Sequence, residues 1–257
     1  MKRVLIKCGG SVIDSLTPEF FSSLQKLISQ NYQLIFVHGG GPDINEMLNL
    51  YHVKPEFHNG LRKTTEQTMK VVEMVLSGHT NRKLVHLLEA HGLNAFGLNG
   101  SDGKCLQAKY INKEQLGLVG EIEAVNQEVI LMLLRENIIP VITPIGISKT
   151  GEKLNVNADH AAAAVARELN CHYCLFVTDV DGIYIDGNLV SNVSEEDIHT
   201  YINEGKITGG MIPKVKSALA AIEKGLERVM IVSGKKAFFD GRNWMGTKIQ
   251  GKAGILQ

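Results

Sequence analysis

The chain has 257 residues, with 27 Lys and Arg balanced by 27 Asp and Glu, and is 44% hydrophobic. No apolar run approaches the ~18 residues of a membrane-spanning helix, and the stretch after Met1 is too short for a signal peptide. The length fits one large α/β domain or two fused halves, the zero net charge argues against a nucleic-acid binder, and a soluble cytoplasmic protein is expected.

In chain order, the strand Val4–Ile6 runs into Lys7-Cys8-Gly9-Gly10-Ser11. A helix is predicted over Pro18–Ser29, and a second strand, Leu34–Val37, enters His38-Gly39-Gly40-Gly41-Pro42. Helical periodicity then covers Pro42–Tyr51 and, after a turn at Asn59-Gly60, Thr65–Ser77. Two hairpins are predicted, Lys104–Tyr110 with Gly117–Ile122 and Ile145–Ser148 with Glu152–Asn155. The helix Asn126–Glu136 and the strand Ile138–Ile142 lie between them. The C-terminal part alternates similarly: helix Ala158–Leu169, strand Leu175–Val177, helices Glu195–Glu204 and Pro213–Lys224, strand Val229–Val232. Short strands alternating with longer helices predict a largely parallel sheet covered on both faces. No repeat or flexible linker is apparent, and the natural division lies near Gly146–Asn157.

The glycine-rich turns are the first chemical signal. Two strand–helix turns within 41 residues carry glycine runs, and Lys7 stands at the lip of the first. Pro42 suits the first helical position, which makes Gly39–Gly41 a helix entry. Exposed N–H groups at such an entry favour an anion, whereas an ordinary tight turn needs only one glycine. Neither a G-x-x-x-x-G-K-[ST] loop nor a complete G-x-G-x-x-G is present; Ile44 occupies the place of the third glycine. A dinucleotide-dependent dehydrogenase is thereby disfavoured.

Other candidates rest on the same logic. Arg62, after the Asn59-Gly60 turn, suits a carboxylate as a fork, although a loop arginine is also a common surface charge. In Asn155-Val156-Asn157-Ala158-Asp159, Asn157 reads as a helix cap and Asp159 as a first-turn acid, which leaves Asn155 free. Thr178–Tyr184 comes after a buried strand, at the end where open α/β sheets bind ligands. Lys214 sits in the first turn of a helix, where a cation is unfavourable unless an anion covers it or solvent screens it. Cys171 and Cys174 form the one close cysteine pair, but lack a second pair for zinc and the strand-to-helix context of a redox site; Cys174 reads as core.

In combination, Lys7–Gly10, His38–Pro42, Asn59–Arg62, Asn155–Asp159, Thr178–Ile183 and Gly209–Lys214 resemble the amino-acid kinase family. The triple-glycine turn, Asn59–Arg62 and Asn155–Asp159 resemble its branch that phosphorylates N-acetyl-L-glutamate. The resemblance implies a three-layer α/β/α sandwich around an open, mostly parallel eight-stranded sheet. It implies a single kinase domain, residues 1–257, with an acceptor lobe over about 1–156 and an ATP lobe over about 157–257. ATP would donate its γ-phosphoryl to the side-chain carboxylate of N-acetyl-L-glutamate, the second step of arginine biosynthesis. Lys7, Lys214 and Asp159 would be catalytic, with Asp159 orienting both ammonium groups. Gly9 and Gly10 would bind phosphate through their backbone, and Gly40, Gly41, Arg62 and Asn155 the acceptor. Asp179, Val180, Asp181, Gly182, Ile183 and Tyr184, with Lys206, Ile207 and Thr208, would contact ATP. Mg²⁺ would ride on phosphate oxygens and water without a protein ligand. Because Met1 stands just before the first strand, the arm that links dimers of arginine-inhibited members is not expected. A homodimer insensitive to arginine is expected instead, with no nucleic-acid or membrane partner. The rivals are another acyl-phosphate kinase of the family, for an aspartate, glutamate or aminoadipate derivative, and a non-catalytic sensor on the same fold.

Overall fold

In the computed structural model, residues 1–251 are described. The expected C-terminal lobe continues to residue 257, and positions 252–257 lie outside the described residues. Eight strands form the main sheet: β1 (Lys2–Cys8), β2 (Tyr32–His38), β3 (Ala95–Asn99), β4 (Ile139–Thr143), β5 (Tyr173–Thr178), β6 (Asn192–Ser194), β7 (Arg228–Ser233) and β8 (Thr247–Gln250). Their order is β6-β8-β7-β5-β1-β2-β4-β3, and only the β7–β8 pair is antiparallel. The five strands predicted from apolar runs are all present. The sheet reaches eight because β3, β6 and β8, too short or too polar to stand out as apolar runs, pair along its edges.

Strand alternation separates the two faces. Val4, Ile6 and Cys8 pack with Phe36, Val177 and Val232 on one side. There they meet α1 (Gly10–Ile13), α2 (Pro18–Ser29) and a later helix, Asn81–Ala90. Leu5 faces the other side with Ile35, Phe176 and Ile231, under the alanine-rich helix Ala158–Glu168 and the helix Met211–Glu223. Residues two apart on a strand share a face, so Lys7 points with Leu5 toward the alanine-rich helix.

Between β2 and β3 lie α3 (Gly41–Leu50), α4 (Glu66–Glu73), a π-helical stretch Met74–Thr80 and α5 (Asn81–Ala90). The helix predicted over Thr65–Ser77 therefore does not end at Ser77-Gly78. Thr65 caps it as expected of a threonine, accepting from the Thr68 N–H, but the backbone continues through a π turn. Later helices are α6 (Gln127–Arg135), α7 (Ala158–Glu168), α8 (Glu195–Asn203) and α9 (Met211–Glu223).

Both predicted hairpins form. Leu106–Tyr110 pairs antiparallel with Val119–Val125, and Ile145–Ile147 with Lys153–Val156; together these four strands close into a small barrel. The register of the main sheet aligns Cys8 with both His38 and Val177, and Thr178 with Ser233. The two glycine turns, the Asp179 loop and the residues after Ser233 therefore emerge together from the carboxyl ends of adjacent strands, where ligands of open α/β sheets gather.

Candidate active site

The two glycine turns interlock. A Cβ on Gly10 would lie 2.6 Å from the Gly40 Cα, and one on Gly40 would lie 2.5 Å from Leu76 Cδ2. Close backbone approach, not an unusual φ, therefore requires glycine at position 10, while at position 40 the Leu76 and Thr80 side chains crowd the place of a Cβ. The Gly39 N–H donates to the Cys8 carbonyl at 2.9 Å, which ties the second turn to the end of β1.

Lys7 lies over this floor. Its Nζ is 2.8 Å from Asp159 Oδ1, and both side chains are about four-fifths buried, at 18% and 20% exposure. Asp159 is held at the start of α7, where the Asn157 Oδ1 accepts from the N–H groups of Asp159 and His160, at 2.8 and 3.2 Å. Asn157 is thus the helix cap that its sequence context indicates. The second oxygen of Asp159 accepts from Ser217 Oγ at 2.8 Å.

Lys214 departs from expectation. Its Nζ donates to Asp179 Oδ1 at 2.6 Å, and that bond holds the Asp179 carboxyl below the usual carboxylate range. Asp159 therefore does not hold both lysines here; each has its own carboxylate. The reason is local: Asp179 comes directly after β5, within reach of the first turn of α9, while Ser217, one turn along α9 from Lys214, takes the Asp159 oxygen.

The nucleotide candidates divide into two groups. Asp181 accepts from Lys236 Nζ at 2.6 Å and from the Tyr184 hydroxyl at 3.2 Å, and the Lys236 bond leads in lowering its pKa. Val180 is fixed by Thr178, whose hydroxyl donates to the Val180 carbonyl at 3.0 Å. Gly182 is packed so tightly that a Cβ would lie 2.5 Å from Thr247 Oγ1. Ile183 is fully buried and its N–H donates to the same Thr247 oxygen at 2.8 Å, so neither is open to a ligand. Ile207 also packs in the core, and its N–H donates to the Tyr201 carbonyl at 3.0 Å. Lys206 pairs with Glu204 at 2.9 Å and lies over the Tyr201 ring, and the Thr208 carbonyl accepts from the Met211 N–H.

A cavity of about 190 Å³ opens beside the triple-glycine turn, lined by Gly40, Gly41, Phe57, Arg62, Leu76 and Asn155 among others. Arg62 ends a small hairpin, Phe57–His58 with Leu61–Arg62, turned by Asn59 and Gly60 at φ 48° and 80°. Positive φ at both central residues is the geometry that an Asn-Gly turn favours. Arg62 is only 8% exposed, with its guanidinium 4.7 Å above the Phe57 ring and Nη2 donating to the Gly41 carbonyl at 3.3 Å. Its Nη1 is buried and meets no acceptor among the described residues, and burial lowers the pKa of the group. A buried cation with an unused donor favours an anion in the cavity beside it. Asn155 Nδ2 donates to Thr64 Oγ1 at 3.0 Å, and Thr64 donates to the Arg62 carbonyl at 2.8 Å, so the two cavity residues are mechanically joined.

Ser217, Lys236, Thr64 and Phe57 were not among the sequence candidates. Ser217 had a usable signal, standing three residues after Lys214 and so on the same helix face. Lys236 and Thr64 act through partners distant in sequence and had none. Among the described residues no group of three or more His, Cys, Asp or Glu side chains forms a metal site, and no helix is long and apolar enough to cross a membrane.

The site thus joins a cavity walled by a buried arginine, two glycine turns and two lysines near the carboxyl ends of parallel strands. Residues 2–233 match the amino acid kinase family. The acetylglutamate kinase of Geobacillus sp. (strain WCH70) is 49% identical over 254 residues, covering 99% of this chain and 99% of that one. The acetylglutamate kinase of Geobacillus stearothermophilus is 48% identical over 254 residues, covering 99% and 98% respectively. The crystal structure of smu.665 from Streptococcus mutans UA159 aligns with a TM-score of 0.83 at 31% identity, over 96% of this chain and 98% of that chain. The match over most of the sequence, the relatives of nearly equal length and the shared three-layer architecture agree that the chain belongs to the amino acid kinase family.

Proposed function

We propose that the protein transfers the γ-phosphoryl group of ATP to the side-chain carboxylate of N-acetyl-L-glutamate, releasing ADP and N-acetyl-L-glutamyl 5-phosphate. The observation that carries this reading is the buried Arg62, with an unused Nη1, in a cavity walled by the triple-glycine turn. An acceptor with two carboxylates answers both features: the α-carboxylate meets the Arg62 fork and the side-chain carboxylate lies against the glycine N–H groups. The relatives of nearly equal length that carry the name acetylglutamate kinase support the same acceptor.

The acceptor carboxylate is ionised at neutral pH, so the reaction needs no general base. What opposes it is the meeting of two anions, and catalysis consists of positioning and charge neutralisation. Lys7, fixed by Asp159, supplies charge where the phosphoryl is transferred, and Lys214 supplies it on the leaving β–γ side. Mg²⁺ would be carried on phosphate oxygens and water and would neutralise negative charge there. ATP is assigned to the side of Asp179–Tyr184 and Lys206–Thr208, in the C-terminal lobe. Lys236, paired with Asp181, joins that group.

A homodimer is part of the proposal. Phe96, on the edge strand β3, is 53% exposed, and this exposed aromatic suits contact with a second copy; sedimentation velocity tests it.

The functional test is a hydroxylamine-trap assay with MgATP and N-acetyl-L-glutamate, L-glutamate, L-aspartate and L-2-aminoadipate. Hydroxamate from N-acetyl-L-glutamate at a kcat/KM at least about a hundredfold above the others is expected, a gap of ~2.7 kcal/mol in transition-state stabilisation. No hydroxamate from any of them, with ATP still bound, would overturn the proposal in favour of a sensor or a different acceptor.

A further inference from the structure

A buried polar network beneath the triple-glycine turn is not used by the chemistry above. His38, the last residue of β2, is fully buried. Its Nδ1 lies 3.0 Å from the Gly39 carbonyl oxygen. Its Nε2 lies 3.1 Å from Asn81 Nδ2 and 3.3 Å from Thr143 Oγ1.

Only one proton arrangement satisfies every member. A carbonyl oxygen can only accept, so Nδ1 carries the proton. The Asn81 amide is fixed from its other contacts: Nδ2 donates to the Val141 carbonyl at 2.8 Å, and Oδ1 accepts from the Arg82 guanidinium. Its NH₂ group therefore faces Nε2, which must be bare. The imidazole is neutral, and burial agrees with that, pushing its pKa down to about 4 against the opposing Gly39 bond.

The π-helical stretch Met74–Thr80 explains how Asn81 arrives there. A π turn adds a residue to the helix and rotates the next turn about the axis, and such turns recur at functional sites. Here it delivers Thr80 and Asn81 to the underside of the glycine turn. Thr80 Oγ1 donates to Asp43 Oδ2 at 2.8 Å, and a Cβ on Gly40 would lie 3.0 Å from that same hydroxyl.

We propose that His38 is a positioning residue: its Nδ1–H pins the Gly39 carbonyl beneath the turn and so aims the Gly40 N–H into the acceptor cavity as an oxyanion donor. In a trans peptide the C=O and the next N–H point in opposite directions, so one bond sets both. The Gly40 N–H meets no acceptor among the described residues, as a donor reserved for a ligand requires. Asn81 and Thr143 hold the imidazole in the one tautomer that can do this. The inference rests on the reading of this cavity as the acceptor site.

The test uses two variants that keep different halves of the imidazole. His38→Asn retains an amide donor near Nδ1, whereas His38→Gln places its amide near Nε2 and loses the Gly39 bond. Expected are a kcat within about threefold of wild type for His38→Asn, and a fall of at least about tenfold for His38→Gln with the KM for ATP unchanged. Equal losses in both, or a His38→Gln kcat within threefold of wild type, would overturn the proposal. A wild type that forms no hydroxamate would instead remove the functional reading beneath it, an outcome distinct from an active His38→Gln. Should His38→Gln not fold, the ¹⁵N shifts of the wild-type imidazole at pH 7 decide: a protonated Nδ1 with bare Nε2 supports the proposal, and a protonated Nε2 overturns it.

Discussion

Lys214 and Asp179 are joined by a 2.6 Å ion pair, separate from the 2.8 Å pair that joins Lys7 to Asp159. The two pairs differ in environment: Asp179 is 56% exposed, whereas Asp159 is 20% exposed and also bonded to Ser217. An exposed ion pair contributes only ~0–1 kcal/mol, so under the proposed mechanism a phosphate group would displace Asp179 from Lys214 at little cost. Lys7 stays on Asp159 and is oriented before substrate arrives. In the proposed mechanism both lysines are needed, because each would neutralise charge that develops in the transfer. Lys7→Ala and Lys214→Ala are each expected to lower kcat by about 10²–10³ in the hydroxylamine-trap assay. A value within threefold of wild type for either removes that lysine from the mechanism.

The cysteines yield a second expectation. Burial pushes Cys8, Cys105 and Cys171 up to about 12, and Cys174 well above its ordinary value. At pH 8 such a thiol is thiolate in only about one part in 10⁴, and the thiolate is the reactive form. The native protein should resist iodoacetamide at pH 8 for hours, while the urea-unfolded chain is alkylated at all four positions. Intact-mass spectrometry distinguishes the two. Rapid labelling of the native protein would show that at least one thiol is accessible and reactive, against this expectation.

Much of the frame is readable in the sequence because it obeys local rules. The strands around Ile6, Phe36, Val177 and Val232 are continuous apolar runs, Asn157 precedes an alanine-rich helix, and Asn59-Gly60 is suited to a positive-φ turn. What resists reading depends on partners far along the chain. Lys214 finds Asp179, 35 residues away, in place of Asp159. Asn155 is set by Thr64, 91 residues away. The continuation from Ser77 to Ala90 is obscured by Gly78, which reads as a helix end but sits inside a π turn. Ile183 and Ile207, expected beside the nucleotide, are consumed by the core. Motifs mark where a site lies; the side-chain pairing within it is a tertiary property.

Asp240 gives the chain a defined acid sensitivity. Its carboxylate accepts from the N–H groups of Arg242 and Asn243, each at 2.7 Å, and from Asn243 Nδ2 at 3.1 Å. The Asn243 and Arg242 backbone bonds lead in lowering its pKa to about 2. A carboxyl depressed in the folded state stabilises above its unfolded pKa, near 4, and loses that contribution as pH falls toward 2. Asp240→Ala should therefore have a lower urea midpoint than wild type at pH 7, and the difference should shrink between pH 4 and pH 3. A difference that stays constant over that interval would show that the Asp240 charge is not responsible.

Arg62→Lys separates ground-state binding from catalysis. Arg62 spends Nη2 on the Gly41 carbonyl, lies over the Phe57 ring and keeps a buried Nη1 without a partner among the described residues. A lysine keeps the charge but not the planar fork, so it cannot serve Gly41 and an α-carboxylate together. In the proposed reaction that carboxylate does not react, and its contact with Arg62 would be the same before and during phosphoryl transfer. Loss of such uniform binding raises KM with little change in kcat. The KM for N-acetyl-L-glutamate is expected to rise about tenfold or more, with kcat within threefold of wild type and the KM for ATP unchanged. Steady-state kinetics with each substrate varied in turn makes the measurement. A variant that loses kcat at unchanged KM would place Arg62 on the reacting group and overturn its assignment to the α-carboxylate.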